Sequence, residues 1–417
     1  MVLRRVGRFG LLIVGLVVSG CQGETIVTDT VQQSGVTIMA RPAADAAPLA
    51  AALGWPAGQV PGATVIIDKV TSDSTPPSWA DTLVTDSTGR VTISALEPGH
   101  YRIWVWRQLS EAEKTRAASS LGDTYGFGGL ATLEATSGSQ QASVALHSLG
   151  RGSLVFSEIY PAQPLLPHEN YYDGQYLEVF NNADTSIDLA GKLFLEAMPG
   201  WYDYPTSGCH SWDEIIDDPG GLWSRLIYRF PDGSRILQPG DAVVIAVDAI
   251  DHTQVGTGPM FYDLSRADFE FRGSSDVDNP LALDMINVGP YEPPLGHGWV
   301  AAQSRTVIAL AMPLDIASLA QVKDSIWGTL VRVPTSAVLD VVQFKYDMKQ
   351  DYAECPPSVD PGIDAGEAMV LGNVFLDARS MHRRVGGVLS SGRVFLQKSH
   401  DSAIDFEAAP GNPGTVP

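Results

Sequence analysis

Short runs of β-branched and aromatic residues, each closed by a turn that carries Gly or Pro, limit this chain more than any other feature. Residues 36–40 (VTIMA), 63–68 (ATVIID), 82–85 (TLVT), 91–93 (VTI) and 101–106 (YRIWVW) have strand composition. Between them stand Asp86-Ser-Thr-Gly89 and Leu96-Glu-Pro-Gly99, turns in which Gly supplies the positive φ. The same rhythm continues to the C-terminus, with 41 Gly and 28 Pro in 417 residues and only 18% charged residues. Many short strands with tight connections make an all-β protein, and this length asks for roughly two or three domains. A hydrophobic fraction of 44% excludes wholesale disorder. A net charge of -21 repels phosphate backbones and excludes nucleic acid as a partner.

Residues 1–20 have the character of an export signal. Arg4, Arg5 and Arg8 precede an apolar run from Phe9 to Val18, too short for a comfortable membrane span. Val18-Ser19-Gly20-Cys21 follows at once, and this small-small-Cys sequence resembles the lipobox of bacterial lipoproteins. The resemblance implies acylation of the Cys21 thiol and cleavage before it. Gln22 in the next position implies the outer rather than the inner membrane. Removing the three arginines from the 27 basic residues leaves 24 against 48 acidic ones, so the mature chain is near -24 and lipid, not charge, holds it to a bilayer. The polar residues 21–35 form a tether.

Residues 36–150 make the first domain. Its order of motifs, from Thr85-Asp86 through Gly89-Arg90-Val91 and Leu96, Pro98 and Gly99 to Tyr101 and Ile103, resembles the carboxypeptidase-regulatory-like, or prealbumin-like, β-sandwich. Family domains of this kind are spacers or modest binding modules. One short helix is predicted within it: Ser110 and Glu113 form a capping box and Gly122 ends the helix.

Residues 151–417 make the second domain. The runs 153–161 (SLVFSEIYP), 175–182 (QYLEVFNN) and 186–191 (SIDLAG), then Leu237-Gln-Pro-Gly-Asp241, residues 338–343, Ser380–Arg384 and the ending 403–413, resemble the lamin-tail domain, an immunoglobulin-like sandwich, and in particular an uncharacterised lipoprotein family related to it. This region is far longer than a simple sandwich of about 100 residues. The excess falls in insertions near 197–227, 251–304 and 345–377, and long loops on a rigid scaffold are where function gathers.

The first insertion combines Trp201, Tyr202, Tyr204, Trp212 and Asp213, rings and acids of the type that bind sugars or peptides. A packed satellite core is the plainer account of the same rings and is preferred. Cys209 and Cys355 either form one disulfide or remain two thiols, and both options stay open. Glu158 and Glu178 are two carboxylates on one strand face, the minimum for general acid–base work. The preferred account is structural, with each acid accepting backbone donors or pairing with Arg383 or Arg384. Asp351, Glu354, Asp360 and Asp364 form an unordered acidic group of the kind that stays solvated, and Asp276-Val-Asp-Asn279 lacks the glycine and distal glutamate of an EF-hand. Nucleophile-elbow, zincin and phosphate-loop motifs are missing. No metal or cofactor is expected. The sequence therefore describes a non-catalytic, lipid-anchored envelope module with a structural or interaction role toward an envelope protein. The alternative is a glycan- or peptide-binding lipoprotein using residues 197–227, and a third reading is an unrecognised hydrolase.

Overall fold

The computed structural model describes residues 34–69, 80–122, 124–164, 166, 170–197, 201–203, 208–210, 221–256, 258–273, 278–293, 298–301, 305–324, 328–346, 359, 363–364, 366–370, 379–389 and 391–415. Strands dominate them and the helices are few and short, as an all-β reading requires.

The N-terminal part consists of β1 (Ser34–Pro42), α1 (Ala47–Ala52), β2 (Thr64–Lys69), β3 (Ala80–Val84), β4 (Arg90–Leu96), β5 (Gly99–Gln108), α2 (Glu111–Arg116), α3 (Ala118–Leu121), β6 (Thr124–Ala135) and β7 (Gly138–Gly150). Its seven strands join in the order β3-β2-β5-β6-β7-β1-β4, with β1 parallel to β7. Val65, Ile67, Ile103, Val105, Val144 and Leu146 fill the interior from alternate positions, as period-2 patterning demands. Gly89 is required where the turn after β3 crosses the sheet: a Cβ there would lie 2.9 Å from the Ala40 carbonyl oxygen. The predicted capping box forms, with Glu113 accepting the Ser110 amide at 2.9 Å, although the helix comes as two short pieces, α2 and α3. The helix α1 lies in a proline- and alanine-rich stretch, where the alanines and a proline in the first turn favour a helix.

The rest of the chain begins with β8 (Leu154–Tyr160), β9 (Tyr176–Asn181), β10 (Ile187–Asp188), β11 (Leu193–Ala197), β12 (Trp201–Asp203), β13 (Gly208–His210) and β14 (Gly221–Arg229). It continues through β15 (Ile236–Leu237), β16 (Ala242–Ala246), β17 (Phe269–Glu270), β18 (Leu283–Asp284), β19 (Ile286–Asn287), β20 (Arg305–Ala311), β21 (Gln321–Asp324) and β22 (Gly328–Pro334). It closes with β23 (Val338–Tyr346), β24 (Ala368–Val370), β25 (Ser380–Arg383), β26 (Val385–Val388), β27 (Val394–Leu396), α4 (Ser402–Asp405) and β28 (Phe406–Ala409).

Two sheets face each other here. One runs β21-β22-β14-β11-β20-β23-β24, with β19 on β14; the other runs β18-β17-β16-β9-β8-β25-β28. Phe156, Phe194, Phe230, Phe269, Phe271 and Trp299 pack between them, ring against ring, with Phe194 and Phe271 at 4.8 Å. The outer faces are covered as well. Residues from the second insertion, Met260, Leu264, Ala267 and Ala282, pack over Tyr160, Tyr176 and Val244. Every residue of β8, β9 and β20 is buried, the outer side of β20 packing with Val359 and Ile363.

At one end the two sheets are clasped by Arg383. From β25 it donates to Asp340 of β23 at 2.6 Å and to Asp405 of α4 at 3.1 Å, with its side chain 1% exposed. It also donates to the carbonyls of Phe156 and Gln397. The two parts of the chain meet where Tyr125 packs edge-on against Phe395 at 4.7 Å beside Leu149. Asn182 reinforces this corner, accepting the Leu396 amide and donating to the Leu396 and Arg151 carbonyls. Among the described residues no helix is long and apolar enough to cross a membrane.

Removing one partner of a buried, hydrogen-bonded ion pair costs about 3–5 kcal/mol, because the other charge stays buried and unmatched. Arg383→Ala is therefore expected to lower stability by about that amount, measured by urea unfolding followed by circular dichroism. A change below about 1 kcal/mol would show that the clasp does not hold the sheets.

Candidate functional site

Several sequence candidates lie outside the described residues: Cys21, Tyr204, Trp212, Asp213, Cys355, Asp276, Asp351, Glu354 and Asp360. Trp201, Tyr202 and Cys209 are described in backbone only. They lie on a two-stranded hairpin in which Trp201 pairs with His210 and Tyr202 with Cys209.

Glu158 and Glu178 stand directly opposite each other on β8 and β9, so the two carboxylates do share a face. Of the two kinds of partner expected for them, backbone donors are found and the arginines are not. Arg383 is held by Asp340 and Asp405, and Arg384 pairs with Glu407 at 2.6 Å. The C-terminal segment crosses the pair instead. The Asn412 amide donates to Glu158 at 3.1 Å and the Gly414 amide to Glu178 at 3.0 Å. Tyr176 adds a hydroxyl donor to Glu158 at 2.5 Å, and Ser157 one to Glu178 at 2.8 Å. The strap can lie this close because residue 411 is Gly; a Cβ there would be 2.6 Å from the Tyr176 hydroxyl. His382 donates to the Pro410 carbonyl at the start of the strap. Burial pushes Glu178 up to about 7, opposed by the Ser157 hydroxyl and reinforced by the Glu158 carboxylate.

Asp364, part of the acidic group expected to be solvated, is buried. Its oxygens accept the Ser402 hydroxyl at 2.6 Å and the amides of Ser402 and Gln343, and burial pushes it up to about 7. Glu196 is a perturbed acid that sequence spacing does not flag. It stands near Arg225 and Trp299 and is likewise pushed up to about 7 by burial, with the Arg225 charge working against the shift. No motif marks it, because its neighbours come from β14 and from the loop before β20.

An open groove runs along the β16–β17–β18 edge. Two adjoining depressions of about 420 and 450 Å³ share Arg235, Arg266, Ala267 and Asp268 as their common wall. Arg235 and Asp268 pair at 3.1 Å, while Asp268 also accepts the Val244 amide. One depression is bordered by Leu281 and Leu283, exposed to 83% and 43%; the other is bordered by Pro413 and Gly414 of the strap. Nearby, the carboxylates of Glu270, Asp278 and Asp284 come within 4.8 Å of one another. Arg272 bridges Asp278 and Asp284 at 3.2 and 3.1 Å, and Glu270 accepts the Ala249 amide. These acids are thus neutralised or bonded by the protein itself. The groove is lined by paired charges and exposed leucines, and the buried acids hold backbone in place.

Glu178, Glu196 and Asp364 have folded-state values raised above those of an unfolded chain, and Asp401 is raised to about 6 by burial. Through these four carboxylates the folded protein binds more protons than the unfolded chain between about pH 4.5 and 7, while His252 and His400, lowered by burial, act in the opposite sense. The stabilising contribution of the carboxylates is present below about pH 4 and is lost as pH rises through 6–7. Thermal midpoints are expected to fall from pH 5.5 to pH 8. Glu178→Gln should raise the midpoint at pH 8 more than at pH 5.5. Identical pH profiles for the variant and wild type would refute the assignment.

Residues 238–411 match the model of DUF4876, a protein family of unknown function. No curated protein matches the chain. A DUF4876 family protein from Bacteroides thetaiotaomicron is similar in structure, with a TM-score of 0.51 at 16% identity over 92% of this chain and 95% of that one. A candidate carbohydrate-binding protein from Bacteroides uniformis aligns at a TM-score of 0.16 and 9% identity over 75% of this chain and 99% of that one, too slight a likeness to bear on fold or function. The chain thus shares its overall fold with a DUF4876 protein, and the matched region holds β16–β18, the clasp and most of the groove.

Proposed function

We propose that the chain is a non-catalytic interaction module of the bacterial envelope, anchored through lipid on Cys21 and contacting a protein partner along the β16–β18 groove. The exposed leucines carry this reading. Leu281 and Leu283 stand uncovered at the free edge of a sheet, beside a wall of arginine and aspartate side chains. An apolar centre with a polar rim is the ordinary make-up of a protein contact. The non-catalytic character is supported by the carboxylates. Glu158, Glu178 and Asp364 are buried and each accepts backbone amides, the first two beneath the C-terminal strap. In this reading the N-terminal sandwich is a spacer between tether and groove, and Gln22 after the acylated cysteine directs the protein to the outer membrane.

Two measurements test this. Cys21→Ser should abolish palmitate labelling and membrane attachment in cell fractionation. In crosslinking on intact cells, wild type should yield a discrete partner adduct that the double variant Leu281→Asp, Leu283→Asp loses. An adduct unchanged in the double variant removes the groove from the proposal.

A further inference from the structure

We infer a second binding surface, on the outer face of the N-terminal sheet, suited to a neutral polysaccharide chain lying flat. Register places the residues. Val65, Val105, Ile67 and Ile103 pair on the buried face, so their neighbours form two rows on the other: Val84, Thr64 and Trp106 in one, Thr82, Ile66 and Trp104 in the next. Trp106 is 39% exposed and Val84 61%, while Trp104, Ile66 and Thr64 are half-buried and Thr82 is exposed. The two indoles belong to one strand and one face, roughly 6.6–6.8 Å apart along it. Beyond Trp106 the row continues at Gly128, over which Leu149 lies, and Gln108 reaches Gly387 of the β26–β27 hairpin. The platform therefore ends against the second part of the chain, whose Val388 is 64% exposed.

The chemistry of the rows selects the ligand. Two flat rings on β5, with Thr64 and Thr82 on the two strands beside it, suit a sugar, whose C–H faces stack on indole while its hydroxyls take hydrogen bonds. Neither row holds a charged residue, the next row of the same face pairs Asp68 with Arg102, one charge of each sign, and the whole chain carries -21. A platform whose charges balance, on so acidic a protein, disfavours polyanions and leaves a neutral chain as the occupant. This surface is separate from the β16–β18 groove and does not depend on that reading.

The full chain is to be tested for retention on cellulose, xylan, mannan and chitin, with alginate as the polyanionic control. Wild type should be retained by at least one neutral polymer and not by alginate. Trp106→Ala should weaken that retention about tenfold or more, and Trp106→Phe, which keeps a ring, should lie between. Thr64→Lys places a long charged side chain at the centre of the platform without removing a ring, and should weaken retention as well if Trp106→Ala fails to fold. The Leu281→Asp, Leu283→Asp variant should bind as wild type. Retention by alginate alone, by none of the neutral polymers, or equally by wild type, Trp106→Ala and Thr64→Lys would overturn the inference.

Discussion

A single guanidinium joins the two sheets of the larger sandwich. Arg383 is nearly inaccessible, and desolvating it is tolerable only because Asp340 and Asp405 neutralise it and carbonyls of Phe156 and Gln397 take its remaining donors. Asp340 in turn accepts the Phe156 amide, so the same carboxylate that receives the charge also fixes the start of β8. Four segments distant in sequence converge on one point. The aromatic layer between the sheets contributes more free energy in total, but it is non-directional; the clasp sets how the sheets register at this end.

Once the sheets are fixed, the insertions have somewhere to fold. The segment after β16 lays Met260, Leu264 and Ala267 over the outer face of its own sheet, while Val359 and Ile363 contribute to the outer face of the other. A sandwich that would expose one face of each sheet becomes layered on both sides. Polar groups trapped by this covering must find partners inside, which is why Glu158, Glu178 and Asp364 bond to amides and why burial raises the values of Glu178 and Asp364. What stays open lies at the free edge, along β17 and β18, and on the outer face of the N-terminal sheet.

The elements were legible where the signal is local. The strands of residues 36–106, the turn at Gly89 and the capping box at Ser110 all follow from neighbours within a few residues. The acid–base pairing was not. Ser380–Arg384 was readable as a strand with basic residues, yet the acids expected for it, Glu158 and Glu178, belong to the C-terminal strap, and its true partner Asp340 lay unremarked within a hydrophobic run. Trp104 and Trp106 read from sequence only as strand formers, because alternation separates two faces without telling which one is left uncovered.

The sequence by itself determined the class of fold, the rhythm of strands and turns, the acidic surface and the export-like N-terminus, since each of these rests on composition or short-range spacing. Tertiary structure alone decided which charges meet, which sheet faces are covered and where apolar side chains remain exposed. Those outcomes depend on contacts between residues as much as 254 positions apart, such as Asn412 with Glu158, and no local pattern encodes a partner at that distance.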